Sequence, residues 1–188
     1  MSKIYNVLFI HFYKSSELKL NDNFIIKKKF AFDKDFTLSK LNIDKFDIII
    51  LGPGKSKLNP KASDMFKYVP NLRKVLQLKN KKILGLCYGM QLLCRNYNLK
   101  QYPLKLRHKE TIKKKIKGMS VVRVRFNHKF NCSNTKKNLN DMKIKDEKQV
   151  KKIPTFIKFS KNHFGIQFHF TNKNDRSNMI SKIIENKV

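Results

Sequence analysis

The chain has 188 residues, 40% of them apolar and 15 of them Phe, which is enough for a hydrophobic core and excludes a wholly disordered protein. Lys and Arg number 43 against 13 Asp and Glu, so the +30 charge predicts non-specific attraction to nucleic acid, anionic surfaces or an acidic partner. The excess is scattered (Lys27 to Lys29, Lys113 to Lys115, Lys136-Lys137, Lys151-Lys152). Abundant Lys, Asn, Ile and Phe also fit an AT-rich coding sequence, and this compositional explanation outweighs a dedicated nucleic-acid surface by roughly two to one.

No segment approaches the ~18 consecutive apolar residues of a membrane span, and the first residues have no apolar signal region. Cys87, Cys94 and Cys132 form no C-x-x-C pair and no metal-ligand spacing. Reduced thiols, no metal site and a cytoplasmic or equivalent reducing compartment are therefore expected. The length suits one domain over residues 1–188.

Asn6 to Phe12 is a short continuous apolar run, as in strands buried on both faces of a parallel sheet. Asn23 to Phe32 reads as a more exposed strand, and Leu38 to Leu41 as a short helical turn. A strong strand over Phe46 to Leu51 stops at Gly52-Pro53-Gly54. From Ser63 to Leu78, Met65, Phe66, Val69, Leu72, Val75 and Leu76 recur at helical spacing, with Ser63 or Asp64 as N-cap and Pro70 as a kink or interruption. Lys82 to Leu86 is the next strand and Tyr88 to Tyr97 the next helix.

In the second half, Ile112 to Ile116 and Val121 to Phe126 alternate as half-exposed strands do. Asn131 to Lys152 is polar and reads as loop with one short strand at most. Pro154 to Phe159 and His163 to Phe168 are two strands joined at Ser160 to Asn162, and Ser177 to Ile184 is a final helix. Strands alternating with helices predict an α/β fold with a mostly parallel central sheet flanked by helices. Its ligands should collect at the carboxyl ends of the strands, where both glycine-bearing turns lie.

Cys87 stands between Gly85 and Gly89, where an apolar strand breaks into a helical pattern. A thiol at such a turn is lifted out of the sheet, and the N–H groups of the new helix favour negative charge beside it. His169, ending a late apolar strand, is the candidate base. On that pair alone a buried structural cysteine is favoured roughly three to one. Cys94, seven residues after Cys87 on the same helix face, reads as core, and Cys132 as a bystander. His11, His108 and His163 read as surface or strand-end residues, while His128 is open between a loop histidine and a substrate or interface contact.

Taken together, Gly52-Pro53-Gly54, the G-x-C-x-G-x-Q stretch from Gly85 to Gln91, and Gly165-Ile166-Gln167-Phe168-His169 resemble the class I glutamine amidotransferases over nearly the whole chain. That resemblance implies the flavodoxin-like fold of the family and L-glutamine as substrate. A separate synthetase subunit would receive the ammonia and use ATP, with no cofactor in this chain. It also implies Cys87 as nucleophile, His169 as general base and acid, the N–H groups of Gly54 and Tyr88 as oxyanion hole, and Gly52, Gln91 and His128 around the substrate.

Where the family reads His-Pro-Glu, this chain reads His169-Phe170-Thr171, so Thr171 replaces the carboxylate that orients the histidine; Asp175 is close in sequence as a substitute. Cys87-Tyr88-Gly89-Met90-Gln91 and Asn127-His128-Lys129 look like the glutaminase of GMP synthetase, which is slightly favoured. Gly52-Pro53-Gly54 looks more like anthranilate or aminodeoxychorismate synthase component II. The competing reading is an amidotransferase-like protein without turnover that binds nucleic acid or an acidic partner; the enzyme is favoured about two to one. Proteolysis or deglycation by a related Cys-elbow fold fits less well, since those relatives place their histidine soon after the cysteine.

Overall fold

Residue alternation in the apolar runs explains the layers of the computed structural model, which describes residues 3–13, 16–33, 36–37, 40–54, 69–116, 119–133, 138–146 and 149–188. Strand β1 (Tyr5–His11) sends Leu8 and Ile10 into one core and Val7 and Phe9 into another on the opposite face. In β3 (Ile48–Leu51), Ile49 and Leu51 join the first core, Ile48 and Ile50 the second. A strand covered on both faces has no place for polar residues, which is why these segments are uninterrupted apolar runs.

With β2 (Phe24–Phe30), β4 (Lys82–Leu86) and β9 (His163–Ile166), these strands form a parallel block. Two antiparallel strands, β7 (Asn138–Asp146) and β8 (Gln149–Lys158), extend it to the order β2-β1-β3-β4-β9-β8-β7. One face is covered by α1 (Pro70–Leu76) through Leu72, Val75 and Leu76 and by α2 (Tyr88–Asn96) through Met90, Leu92 and Leu93. The other is covered by α3 (Lys173–Ile184) through Met179, Ile180 and Ile183, and by a second sheet. That sheet, β10-β6-β5, is built on the long hairpin β5 (Gln101–Lys115) and β6 (Val121–Cys132), with β10 (His169–Phe170) added. No helix among the described residues is long and apolar enough to cross a membrane.

The mostly parallel, helix-flanked sheet is as expected, but several local readings change. Pro70 opens α1 at its first turn, after non-helical Val69, while residues 55–68, over which the rest of the expected helix would run, lie outside the described residues. The missing N–H of Pro70 costs nothing there. The N-cap candidates Ser63 and Asp64, and Leu38, lie outside the described residues. The polar stretch read as loop contains β7 and much of β8, a hairpin whose ladder hydrogen bonds do not need an apolar sequence. Helix α3 begins earlier than Ser177, at Lys173, because the side chain of Asn172 accepts the N–H of Asn174 at 2.7 Å.

Cys94 and Cys132, expected as unpaired thiols, form a disulfide with Cα atoms 6.2 Å apart. The pairing of Gln101 with Cys132 brings the end of β6 back beside α2, a contact that spacing along the chain does not reveal. Closing a loop of 38 residues stabilises the fold by about 4 kcal/mol in the chain-entropy account. His11 and His163, read as surface or strand-end residues, are buried: His11 Nδ1 lies 2.9 Å from the Tyr13 carbonyl, and His163, opening β9, contacts the Tyr97 hydroxyl and the Leu78 carbonyl.

Two glycines let α2 lie against the strands. A Cβ on Gly85 would stand 2.4 Å from the Gly89 carbonyl carbon, and one on Gly89 would stand 2.2 Å from the Leu51 carbonyl oxygen. Both obstacles are backbone and cannot step aside. Gly89→Ala is expected to lower the unfolding free energy by at least about 1–3 kcal/mol, the usual range for overpacking, read as a lower urea midpoint at unchanged slope.

Candidate active site

Between β4 and α2 the chain turns at Cys87, whose φ of 52° and ψ of −99° lie in a region that L residues rarely occupy. The strained residue is held on both sides: its N–H donates to the Ile166 carbonyl at 2.7 Å, and its carbonyl accepts the N–H of Gln91 at 3.3 Å. This is the geometry of a nucleophile elbow, with the thiol at the start of a helix. Cys87 is only 6% exposed. The Gln167 amide Nε2 lies 3.6 Å from its sulfur.

His169 is positioned by strand alternation. Phe168 and Phe170 on either side enter the core, with ring centroids 5.3 Å apart and Phe168 edge-on to Phe126 at 5.8 Å. Pairing of His169 with Arg125 and Phe170 with Val124 holds β10 on β6. The histidine lines a small cavity of about 40 Å³ together with Leu86, Pro53, Phe9, Glu17 and Arg176. Leu86 at the end of β4, Pro53 of the glycine loop and His169 thus border one crevice beside the carboxyl ends of β3 and β4.

The electrostatics around His169 differ from a triad. Its pKa is pushed down from 6.5 to about 4, first by burial, then by the charges of Arg176 and Arg125. Arg176 is fixed beside it, donating from Nη1 to the Lys19 carbonyl and from Nη2 to the Phe170 carbonyl, both at 2.8 Å. Burial lowers the pKa of the guanidinium too, yet an arginine stays charged. Thr171 is exposed and its hydroxyl donates to the Arg123 carbonyl at 3.0 Å. Asp175 lies in the first turn of α3. The carboxylate that does border the cavity is Glu17, itself 3.6 Å from Lys19.

Of the other expected residues, Gly52 lies with its N–H on the Ile10 carbonyl at 2.8 Å, and a Cβ there would enter the Phe9 ring. Gly54 is partly buried at the end of the same loop. Tyr88, the first residue of α2, packs edge-on to Phe12 at 5.4 Å. Gln91 and His128 converge on a single acceptor: Gln91 Nε2 donates to the Phe130 carbonyl at 3.2 Å, and His128 Nδ1 lies 3.3 Å from it. Both are buried; the Gln91 bond ties α2 to β6, while the His128 contact lies within β6. Arg176, Arg125 and Glu17 carried no local signal, since none belongs to a motif and only folding brings them to the crevice.

A neutral His169 makes a distinct prediction. The unfolded chain takes up this proton near 6.5 and the folded chain only near 4, so the ring's contribution to stability is complete above 6.5 and is lost as pH falls from 6.5 towards 4. Arg176→Gln should raise the His169 pKa from about 4 towards 6.5, followed by imidazole NMR titration.

The sequence profile of the glutamine amidotransferase class-I family matches residues 18–185. No curated protein matches the chain. Among solved structures, a glutamine amidotransferase from Thermotoga maritima is similar at 15% identity and TM-score 0.61, over 97% of this chain and 84% of that one. A candidate GMP synthase component from Thermoplasma acidophilum gives 14%, 0.60, 97% and 93% in the same order, and a glutamine amido transferase from Methylobacillus flagellatus 12%, 0.57, 89% and 70%. At these identities the structural likeness concerns the fold.

Proposed function

Since the chain belongs to the class-I glutamine amidotransferase family, we propose that it is a glutaminase subunit, hydrolysing L-glutamine through a Cys87 thioester and delivering ammonia to a partner synthetase. The observation that carries this reading is the strained elbow at Cys87, beside a cavity shared by His169, Leu86 and Pro53. His169 takes the thiol proton as the sulfur attacks the side-chain amide carbon of glutamine. The oxyanion of the tetrahedral intermediate is held by the N–H groups of Gly54 and Tyr88; one such donor is worth about 2.7–4 kcal/mol. Collapse breaks the C–N bond, His169 returns the proton to the leaving ammonia, and water cleaves the thioester to glutamate.

A histidine held neutral is ready to accept a proton but is a weak base, so turnover is slow compared with a complete triad. Gly52, Gln91 and His128 shape the substrate side, Gln91 by fixing the β6 backbone beside α2. No cofactor is required in this chain, and ATP is used on the synthetase. A GMP synthetase is the favoured partner over anthranilate or aminodeoxychorismate synthase, on the Cys87-Tyr88-Gly89-Met90-Gln91 elbow. The cytoplasmic location expected from unpaired thiols loses that support, because Cys94 and Cys132 form a disulfide and such bonds are uncommon in reducing compartments.

Wild-type protein mixed with each of these synthetases is expected to release glutamate from glutamine with one of them, and a glutamine-like electrophile should label Cys87. Cys87→Ala should abolish both. Absence of glutamate with every synthetase, together with no label on Cys87, would sink this reading.

A second reading has its own observation. The β5–β6 hairpin exposes Lys109, Lys113 and Lys115 alongside Arg123 and Arg125, with Lys113 directly opposite Arg123. Like charges in register destabilise a hairpin unless an anionic partner covers them. If this face binds nucleic acid, affinity for a DNA duplex falls steeply with salt, and the double variant K113E/R123E flattens the slope of log affinity against log salt by about two to four counterions' worth. A slope unchanged by the double variant removes the hairpin as a binding face.

A further inference from the structure

Gln167 is a buried polar side chain beside Cys87 that catalysis by Cys87 and His169 leaves unused. It follows the last residue of β9, its N–H donates to the Thr155 carbonyl at 2.9 Å, and it is 0% exposed. Its amide Nε2 lies 3.6 Å from Cys87 Sγ, within hydrogen-bond reach of a sulfur. Its Oε1 is buried with no hydrogen-bond partner among the described residues. An unpaired buried carbonyl is destabilising, and an apolar side chain of similar length would fill the same space without that cost. Packing alone therefore does not explain a glutamine here.

The need it meets is set by its neighbours. A cysteine nucleophile acts as the thiolate, and its negative charge is ordinarily balanced by a protonated histidine. Here the charged groups lining the crevice are Arg176 from α3 and Glu17 from the segment before β2, and the charge of exposed Arg125 on β6 also acts on His169. The two arginines and burial disfavour a proton on His169. A charged imidazolium is thus a poor partner for the sulfur, and a neutral N–H donor does not meet that repulsion.

We propose that Gln167 is a catalytic residue: its Nε2 donates to Cys87 Sγ, favours ionisation of the thiol and supports the negative charge on the sulfur as His169 takes its proton, a support that the disfavoured imidazolium gives only weakly here. This rests on Cys87 being the nucleophile and adds the group that holds its charge. A hydrogen bond to a charged acceptor is among the stronger ones, so loss of the donor should change the thiolate population about tenfold or more.

The test is the rate of Cys87 alkylation by iodoacetamide, followed at peptide level across a pH series for the full-length wild type, Gln167→Glu and Gln167→Met. At neutral pH both variants should react about tenfold more slowly or worse, converging on the wild-type rate at alkaline pH, where the thiol is ionised without help. A Gln167→Met rate within about twofold of wild type at neutral pH overturns the proposal. A slowdown equal at every pH also overturns it, because that reports access and not ionisation. Should neither variant fold, the ultraviolet thiolate absorbance of wild type minus Cys87→Ala decides: thiolate present at neutral pH supports the donor, and its absence overturns it. Glutamate release that depends on Cys87 but not on Gln167 rejects only this inference; no Cys87-dependent release rejects the glutaminase reading itself.

Discussion

The crevice depends on how closely α2 can approach the ends of β3 and β4. Gly89 meets the Leu51 carbonyl and Gly85 meets Gly89, backbone against backbone, with no room for a Cβ on either. That contact places the first turn of α2 immediately after β4, leaving one residue to make the reversal. Cys87 makes it at positive φ, and its two backbone hydrogen bonds, to Ile166 and Gln91, hold the conformation. The strain at Cys87 originates in tight packing around a turn too short for relaxed geometry.

A second constraint is electrostatic. The strand alternation that buries Phe168 and Phe170 turns His169 towards the cavity, and α3 brings Arg176 to the same place. Arg176 has a structural task there, since it ties the Lys19 carbonyl to the Phe170 carbonyl and so joins the segment before β2 to β10. A cation used as a structural clamp next to a histidine biases that histidine to its neutral form. Thr171, facing solvent over the Arg123 carbonyl, does nothing to oppose this. The crevice therefore combines a well-formed elbow with an inverted field around its base, and the neutral amide of Gln167 lies where charge on the sulfur would need support.

The second sheet ties these parts together. Strand β6 carries the acceptor clamped by Gln91 and His128, the cysteine bridged to α2, and the residue paired with His169. A shift of β6 would move the elbow helix and the histidine together, so the relative placement of nucleophile and base is set by a hairpin that belongs to neither motif.

The late strand read from His163 to Phe168 divides, β9 ending at Ile166 and His169 opening β10 on the second sheet. The sequence by itself nonetheless determined the parallel core and the elbow, because each is written in local pattern: apolar runs for strands buried on both faces and paired glycines around Cys87. Strand β4 at Lys82–Leu86 was legible to its ends for that reason. The β7–β8 hairpin was not, since its residues are polar and its stability lies in backbone pairing that leaves no apolar signature. Pro70 is compatible in sequence with either a kink or a first turn, and the structure places it in the first turn of α1. Only the tertiary structure decided that Cys94 meets Cys132, that Gln91 and His128 share the Phe130 carbonyl, and that Arg176 and Glu17 border the His169 cavity. Those contacts join residues far apart in sequence, and the charge felt by a buried histidine depends on distance in space, which no spacing along the chain encodes.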